Sequence, residues 1–132
     1  MKAATALGFM VCAVLFGCKT KPEPETKALG VCEKLIAAGV ATQCRSTKPA
    51  GLSASAKQTA AFEVAGVKDG AGQVMEFEKP ADYAATLEQL ETIAELVGPH
   101  RYGSEKALVI VQMKSEVSPE LGRKAKSVVS AL

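Results

Sequence analysis

Between Lys2 and Lys19 the chain runs for sixteen residues without a charge, mostly Ala, Val, Leu, Phe, Met, Gly and Cys. A helix needs about 20 apolar residues to cross a ~30 Å hydrocarbon core. The stretch is therefore short for a permanent span and has the length of the apolar centre of a cleaved export signal. It divides the chain: the part that folds comes after Cys18, in a compartment that oxidises thiols.

The run ends in Leu15-Phe16-Gly17-Cys18, with polar Lys19-Thr20-Lys21 beyond it. This end resembles the lipobox of bacterial lipoproteins. The resemblance implies cleavage before Cys18, a diacylglycerol on its thiol and acylation of the new amino group. Two or more acyl chains make a stable anchor, since each buried CH₂ contributes about 0.8 kcal/mol. Residues 1–17 are then a signal peptide, and Cys18 is the lipidation site that holds the protein to the membrane. Lys19 stands where an aspartate would retain a lipoprotein at the inner membrane, so the implied address is the outer membrane, on its periplasmic face or at the surface.

Cysteine arithmetic follows from that division. Cys12 leaves with the signal and Cys18 is consumed by lipid, which leaves Cys32 and Cys44. In an exported domain these two are expected to pair, and closing a loop of this length contributes roughly 3 kcal/mol. With His100 as the only histidine, they make a poor tetrahedral zinc site, and no CxxC redox motif is present. No metal and no cofactor are expected.

Loss of Lys2 leaves fifteen Lys and Arg against fourteen Asp and Glu. Near-neutral charge, the absence of tryptophan and the lack of a basic stripe interleaved with aromatics give no support to a nucleic-acid partner. About 105 residues remain after the signal and linker, enough for one domain with one modest core.

Residues 18–27 carry two prolines and no large apolar side chain after the cysteine, and read as a flexible tether. Residues 28–132 read as a single α/β domain. The spacing of Leu29, Cys32, Leu35, Ile36 and Val40 predicts a helix from about Ala28 to Gly39 with Cys32 on its buried face. Residues 46–59 read as an exposed loop. Alternation predicts strands over 60–67 and 73–79, joined by Lys68-Asp69-Gly70-Ala71-Gly72 as a hairpin loop. Pro80 to Val97 reads as one helix, with an apolar stripe of Tyr83, Leu87, Leu90, Ala94 and Val97 and an exposed acidic side of Glu88, Glu91 and Glu95. Ala107 to Met113, ALVIVQM, reads as a strand covered on both faces. Ser118-Pro119-Glu120 opens a final helix that carries Arg123, Lys124 and Lys126.

The order α-β-β-α-β-α predicts an α+β fold, a two-layer α/β sandwich on a small three-stranded mixed sheet, with a right-handed crossover between parallel strands at 73–79 and 107–113. Both late helices should then lie side by side on one face, acidic against basic. Should they lie on opposite faces, a three-layer arrangement replaces the sandwich. The succession of cysteine-bearing helix, hairpin, acidic helix, GPHRYG loop and apolar strand is similar to small uncharacterised lipoproteins of myxobacteria-like species, a resemblance that implies no activity.

His100-Arg101-Tyr102-Gly103-Ser104 is the most chemically varied stretch. It reads as a loop in which His100, Arg101 and Tyr102 could recognise a small ligand or an anionic headgroup. No paired carboxylates or GxSxG motif accompany the lone histidine, so the chain is not expected to be an enzyme. The leading expectation is a non-catalytic, lipid-anchored cell-envelope protein that displays a small interaction domain to an envelope protein partner. A ligand-binding module built on 100–104 is the alternative.

Overall fold

In the computed structural model, which describes residues 26–132, two apolar clusters lie on opposite sides of one antiparallel sheet. The apolar run, Cys18 and nearly all of the expected tether fall outside the described residues.

Helix α1, Lys27–Ala37, starts where Thr26 in extended backbone accepts a hydrogen bond from the amide of Leu29 at 3.1 Å, the usual role of an N-cap threonine. Ala28, Leu29, Val31, Cys32 and Leu35 form its buried side, while Ile36 is 40% exposed rather than inward as its spacing suggested. Gly39, at φ 83°, turns the chain out of the helix, and Val40 drops back into the core. Strand β1, Gln43–Thr47, follows at once.

Strands β2, Gln58–Glu63, and β3, Gly72–Glu76, form the expected hairpin, with Phe62 and Val64 in one apolar cluster and Met75 and Phe77 in the other. Gly72 lies opposite Phe62, and a Cβ there would collide with the Phe62 ring. Helix α2, Pro80–Thr92, stops at Ile93, whose φ of −107° and ψ of 30° break the expected single helix; a short α3, Ala94–Val97, completes the connection. Strand β4, His100–Ser104, and strand β5, Val109–Met113, then make a second hairpin, and α4, Pro119–Ser130, closes the chain with Ser118 accepting from the amide of Leu121.

The sheet order is β1-β2-β3-β5-β4, and every neighbouring pair is antiparallel. This overturns the three-stranded mixed sheet. Two segments that lack an apolar alternation, Gln43–Thr47 and His100–Ser104, turn out to be the edge strands. β4, not ALVIVQM, is the strand that runs parallel to β3 after the α2 crossover; ALVIVQM then returns antiparallel between the two. The two-layer sandwich fails for a related reason. Phe62, Val74, Val111 and Met113 face α1 and α4, whereas Met75 and Ile110 face α2 through Tyr83 and Leu90. The fold is therefore three layers, and the acidic and basic helices lie on opposite faces.

Candidate functional site

The face under α2 is only half covered. Cross-strand register places Arg45, Ala61, Gln73, Gln112 and Arg101 in one row across all five strands. On the same face Thr59, Met75 and Ile110 form the neighbouring row, and α2 packs on its Met75 and Ile110 positions. Because α2 ends at Thr92, the Gln73 row is left as the floor of an open groove of about 620 Å³, with Ala61, Gln73 and Gln112 along its base. Leu96 and Val97 of α3 border it together with Thr47, Lys48 and Ala50, and Lys114 and Glu116 contribute further charges. Leu96 is 85% exposed, a large apolar side chain held in water beside a concave surface.

The floor is polar and incompletely bonded. Gln112 donates its amide to the carbonyls of Val97 at 2.9 Å and Met113 at 3.1 Å, which turns Oε1 away from both. That oxygen is buried without a partner, as is Nε of Arg101 at the adjacent cross-strand position, while Arg101 Nη1 donates to Gly98 O at 2.8 Å. Gln73 reaches the Ser53 hydroxyl at 3.4 Å. Gln112 lines the groove and Arg101 does not, so of the two only the unmade acceptor lies beneath the open surface.

The three residues singled out from 100–104 do not act together, since they alternate along a strand. His100 and Tyr102 point to the α4 face and Arg101 to the groove face. The His100 ring is buried, with Nε2 at 2.7 Å from the carbonyl of Val117 and Nδ1 at 3.0 Å from the hydroxyl of Tyr102. Burial pushes the Tyr102 phenol above its ordinary pKa. In α4, Gly122 lets this pair approach the helix: a Cβ would lie 2.6 Å from His100 Nδ1 and 2.7 Å from the Tyr102 hydroxyl. A pocket of about 440 Å³ opens beside the pair, and Arg123 and Lys126 line it. Sequence reasoning missed this juxtaposition, whose one visible signal was a glycine in an otherwise sound helix.

Cys32 and Cys44 form a disulfide, with Cα atoms 6.1 Å apart, which ties α1 to the edge strand β1. Among the described residues no group of three or more His, Cys, Asp or Glu side chains could hold a metal ion, and no helix is long and apolar enough to cross a membrane. No family model, curated protein or solved structure matches the chain.

Proposed function

We propose that the chain is a lipid-anchored, non-catalytic protein of the cell envelope, held through Cys18, whose folded unit binds an envelope protein partner through the groove over Ala61, Gln73 and Gln112. The observation that carries this reading is the groove itself: an open concavity with Leu96 exposed beside it and, in its floor, Gln112, whose amide oxygen has no hydrogen-bond partner. Its placement suits display from a tether. The amide of Ala28 is bonded to Glu76, so the chain enters the fold at the end of β3. Gly72, which borders the groove, is four residue steps away at the other end of that strand, roughly 14 Å at about 3.4 Å per residue. A non-catalytic role fits the histidine, whose two ring nitrogens are both engaged inside the fold.

A photo-crosslinking amino acid placed at Leu96 in the cell envelope, with the same group at Glu33 on the opposite face as control, tests the surface. Adducts of one defined mass from Leu96 and none from Glu33 support it; identical adduct patterns from both positions reject it. Lipidation is tested separately by the intact mass of the envelope form, which should carry a diacylglyceryl adduct that Cys18→Ser abolishes.

A further inference from the structure

We infer that the groove over Ala61, Gln73 and Gln112 binds a second copy of this chain, in a two-fold dimer that seats Leu96 of each copy in the groove of the other. The inference rests on the reading of this groove as a protein-binding surface and names the protein. It does not depend on the anchor at Cys18.

The recess and a side chain fit to enter such a recess stand next to each other. Leu96 is 85% exposed, whereas Ile36 and Leu52, the other exposed large apolar side chains among the described residues, reach only 40% and 39%. A two-fold axis uses one patch on both copies, so a closed dimer of this kind needs a projection and a matching recess side by side; a recess far from its projection joins copies head to tail without closing. Here they are adjacent, because Val97, the residue after Leu96, is bonded through its carbonyl to Gln112 in the groove floor. An incoming leucine meets Ala61, Ala71, Gly72 and Met113. The amide nitrogens of Gln73 and Gln112 are already bonded within the fold, and Gln112 Oε1 is already out of solvent, so covering it strips no water from it.

The width of the groove sets where the axis runs. Thr47 and Lys48 border it at the β1 margin, and Leu96 borders it at the β5 margin. In the order β1-β2-β3-β5 these strands are three spacings apart, about 14 Å at about 4.8 Å each. An axis along the strands, midway between Leu96 and the centre of the groove, exchanges the two positions, so each Leu96 enters the middle of the opposite groove. The same operation carries the partner's Lys48 to the far side of Leu96, the side turned away from this copy's own groove.

Charge is complementary under that operation. Glu95, next to Leu96, is exposed and does not line its own groove, which leaves its carboxylate toward the place the partner's Lys48 takes. Lys48 is exposed as well, and among the described residues the one ion pair joins Arg45 to Glu63, so neither Glu95 nor Lys48 is paired within a single copy. The dyad makes this contact twice. Glu116 is the one acid that borders the groove, and Lys114 stands two residues away at the same end, with its ammonium held by the carbonyls of Lys68 and Asp69. Pairs at the rim fix register and partner, while the two leucines supply the apolar burial.

The test places a photo-crosslinking amino acid at Leu96, first in intact envelopes and then in a mixture of heavy-isotope and light-isotope copies of the envelope form, with detergent micelles in large excess over protein. An adduct of twice the chain mass is expected, joining heavy to light copies and mapping to residues 71–73 or 112–113; the same group at Ser127 on α4 should give none. Sedimentation in density-matched detergent measures the affinity of the dimer. Leu96→Asp changes a side chain already in water, so it should leave the melting point unchanged while weakening the dimer by about 100-fold or more, because a charge would have to enter the groove. Glu95→Lys and Lys48→Glu should each weaken it by about 10-fold or more, and the two together should restore it to within about threefold, since the exchanged charges meet again. A merely structural role for either residue would not produce that rescue. In envelopes, an adduct of some other single mass overturns self-association and leaves the groove a protein-binding surface, whereas no adduct at all overturns both. Crosslinks within one isotope only, full dimer affinity in Leu96→Asp, or charge exchange without rescue overturns the dimer.

Discussion

Glu76 accepts the backbone amide of Ala28 at 3.0 Å, a bond across 48 positions of sequence that joins the end of β3 to the first turn of α1. Glu76 is only 7% exposed, and its carboxylate satisfies one of the amides that a helix N-terminus leaves unpaired, at the end where the backbone dipole favours negative charge. Removing it leaves that amide buried and unmade. Glu76→Ala should therefore cost about 1–3 kcal/mol in chemical denaturation, and Glu76→Gln, which keeps an acceptor, distinctly less. Equal midpoints for Glu76→Ala and the parent would show that this bond does not hold the helix.

The disulfide holds the middle of the same helix to β1. Cys32→Ser and Cys44→Ser should each lose about 2–5 kcal/mol, and the double variant should lose little more, since either change already opens the loop. Thiol titration of denatured, unreduced protein should find neither Cys32 nor Cys44 reactive.

Two glycines inside helices should respond to alanine with opposite signs. Gly30 in α1 has open space where a Cβ would go, so Gly30→Ala should gain about 0.5–1 kcal/mol from helix propensity. At Gly122 the same propensity gain meets the His100 ring and the Tyr102 hydroxyl at 2.6–2.7 Å. Both belong to packed side chains anchored by hydrogen bonds, so Gly122→Ala should destabilise, by about 1–3 kcal/mol as overpacking does. Thermal melts of the two variants check the sign directly.

Much of the fold was legible where a residue's partners lie nearby in sequence. Ser118 caps a helix, Gly39 ends one, and Phe62 and Met75 mark the two faces of a hairpin; the cap at Thr26, within the expected tether, was not read. The edge strands were not legible. QCRST is exposed along most of its length, and HRYGS buries only part of one face, so neither carries the period that marks a strand. Missing β4 reversed the direction assigned to ALVIVQM and hid the third layer, even though its apolar residues on both sides already called for cover above and below. The groove was invisible for a different reason: Ala61, Gln73 and Gln112 share a row only through the registers of three strands, and no local pattern encodes that. Cys32 and Cys44 were found because redox chemistry pairs them whatever the topology.

Both tyrosines should carry a pH signature on the alkaline side. Burial raises the Tyr83 pKa above 10.0, with Glu105 and Glu91 adding to the effect, and burial alone raises that of Tyr102. A phenol that holds its proton more tightly when folded contributes its stability in full below the unfolded pKa of about 10 and loses it as the pH climbs through the higher folded value. Stability should thus be insensitive to these groups up to about pH 10 and fall beyond it. Phenolate absorbance should rise later in folded than in denatured protein. Glu105→Gln and Glu91→Gln should bring the Tyr83 transition only part of the way back, because burial is the larger cause.

The last expectation concerns charge across the sheet. The connection from β3 to β4 carries Asp82, Glu88, Glu91 and Glu95 on one face, while α4 carries Arg123, Lys124 and Lys126 on the other. Each helix layer packs about 10 Å from the sheet, which puts the two sets roughly 20 Å apart. Screening at physiological salt acts over about 8 Å, and Glu88, Glu91, Glu95 and the basic trio are all exposed to solvent, so the separation exceeds two screening lengths. The two sets should therefore not pair; instead they give the molecule an acidic side and a basic side. In a double-mutant cycle, Glu91→Lys and Lys124→Glu should be additive to within about 0.3–0.5 kcal/mol at physiological salt, as independent sites are. A coupling well above that, shrinking as salt is added, would mean that the helices are neighbours and that the three-layer arrangement is wrong.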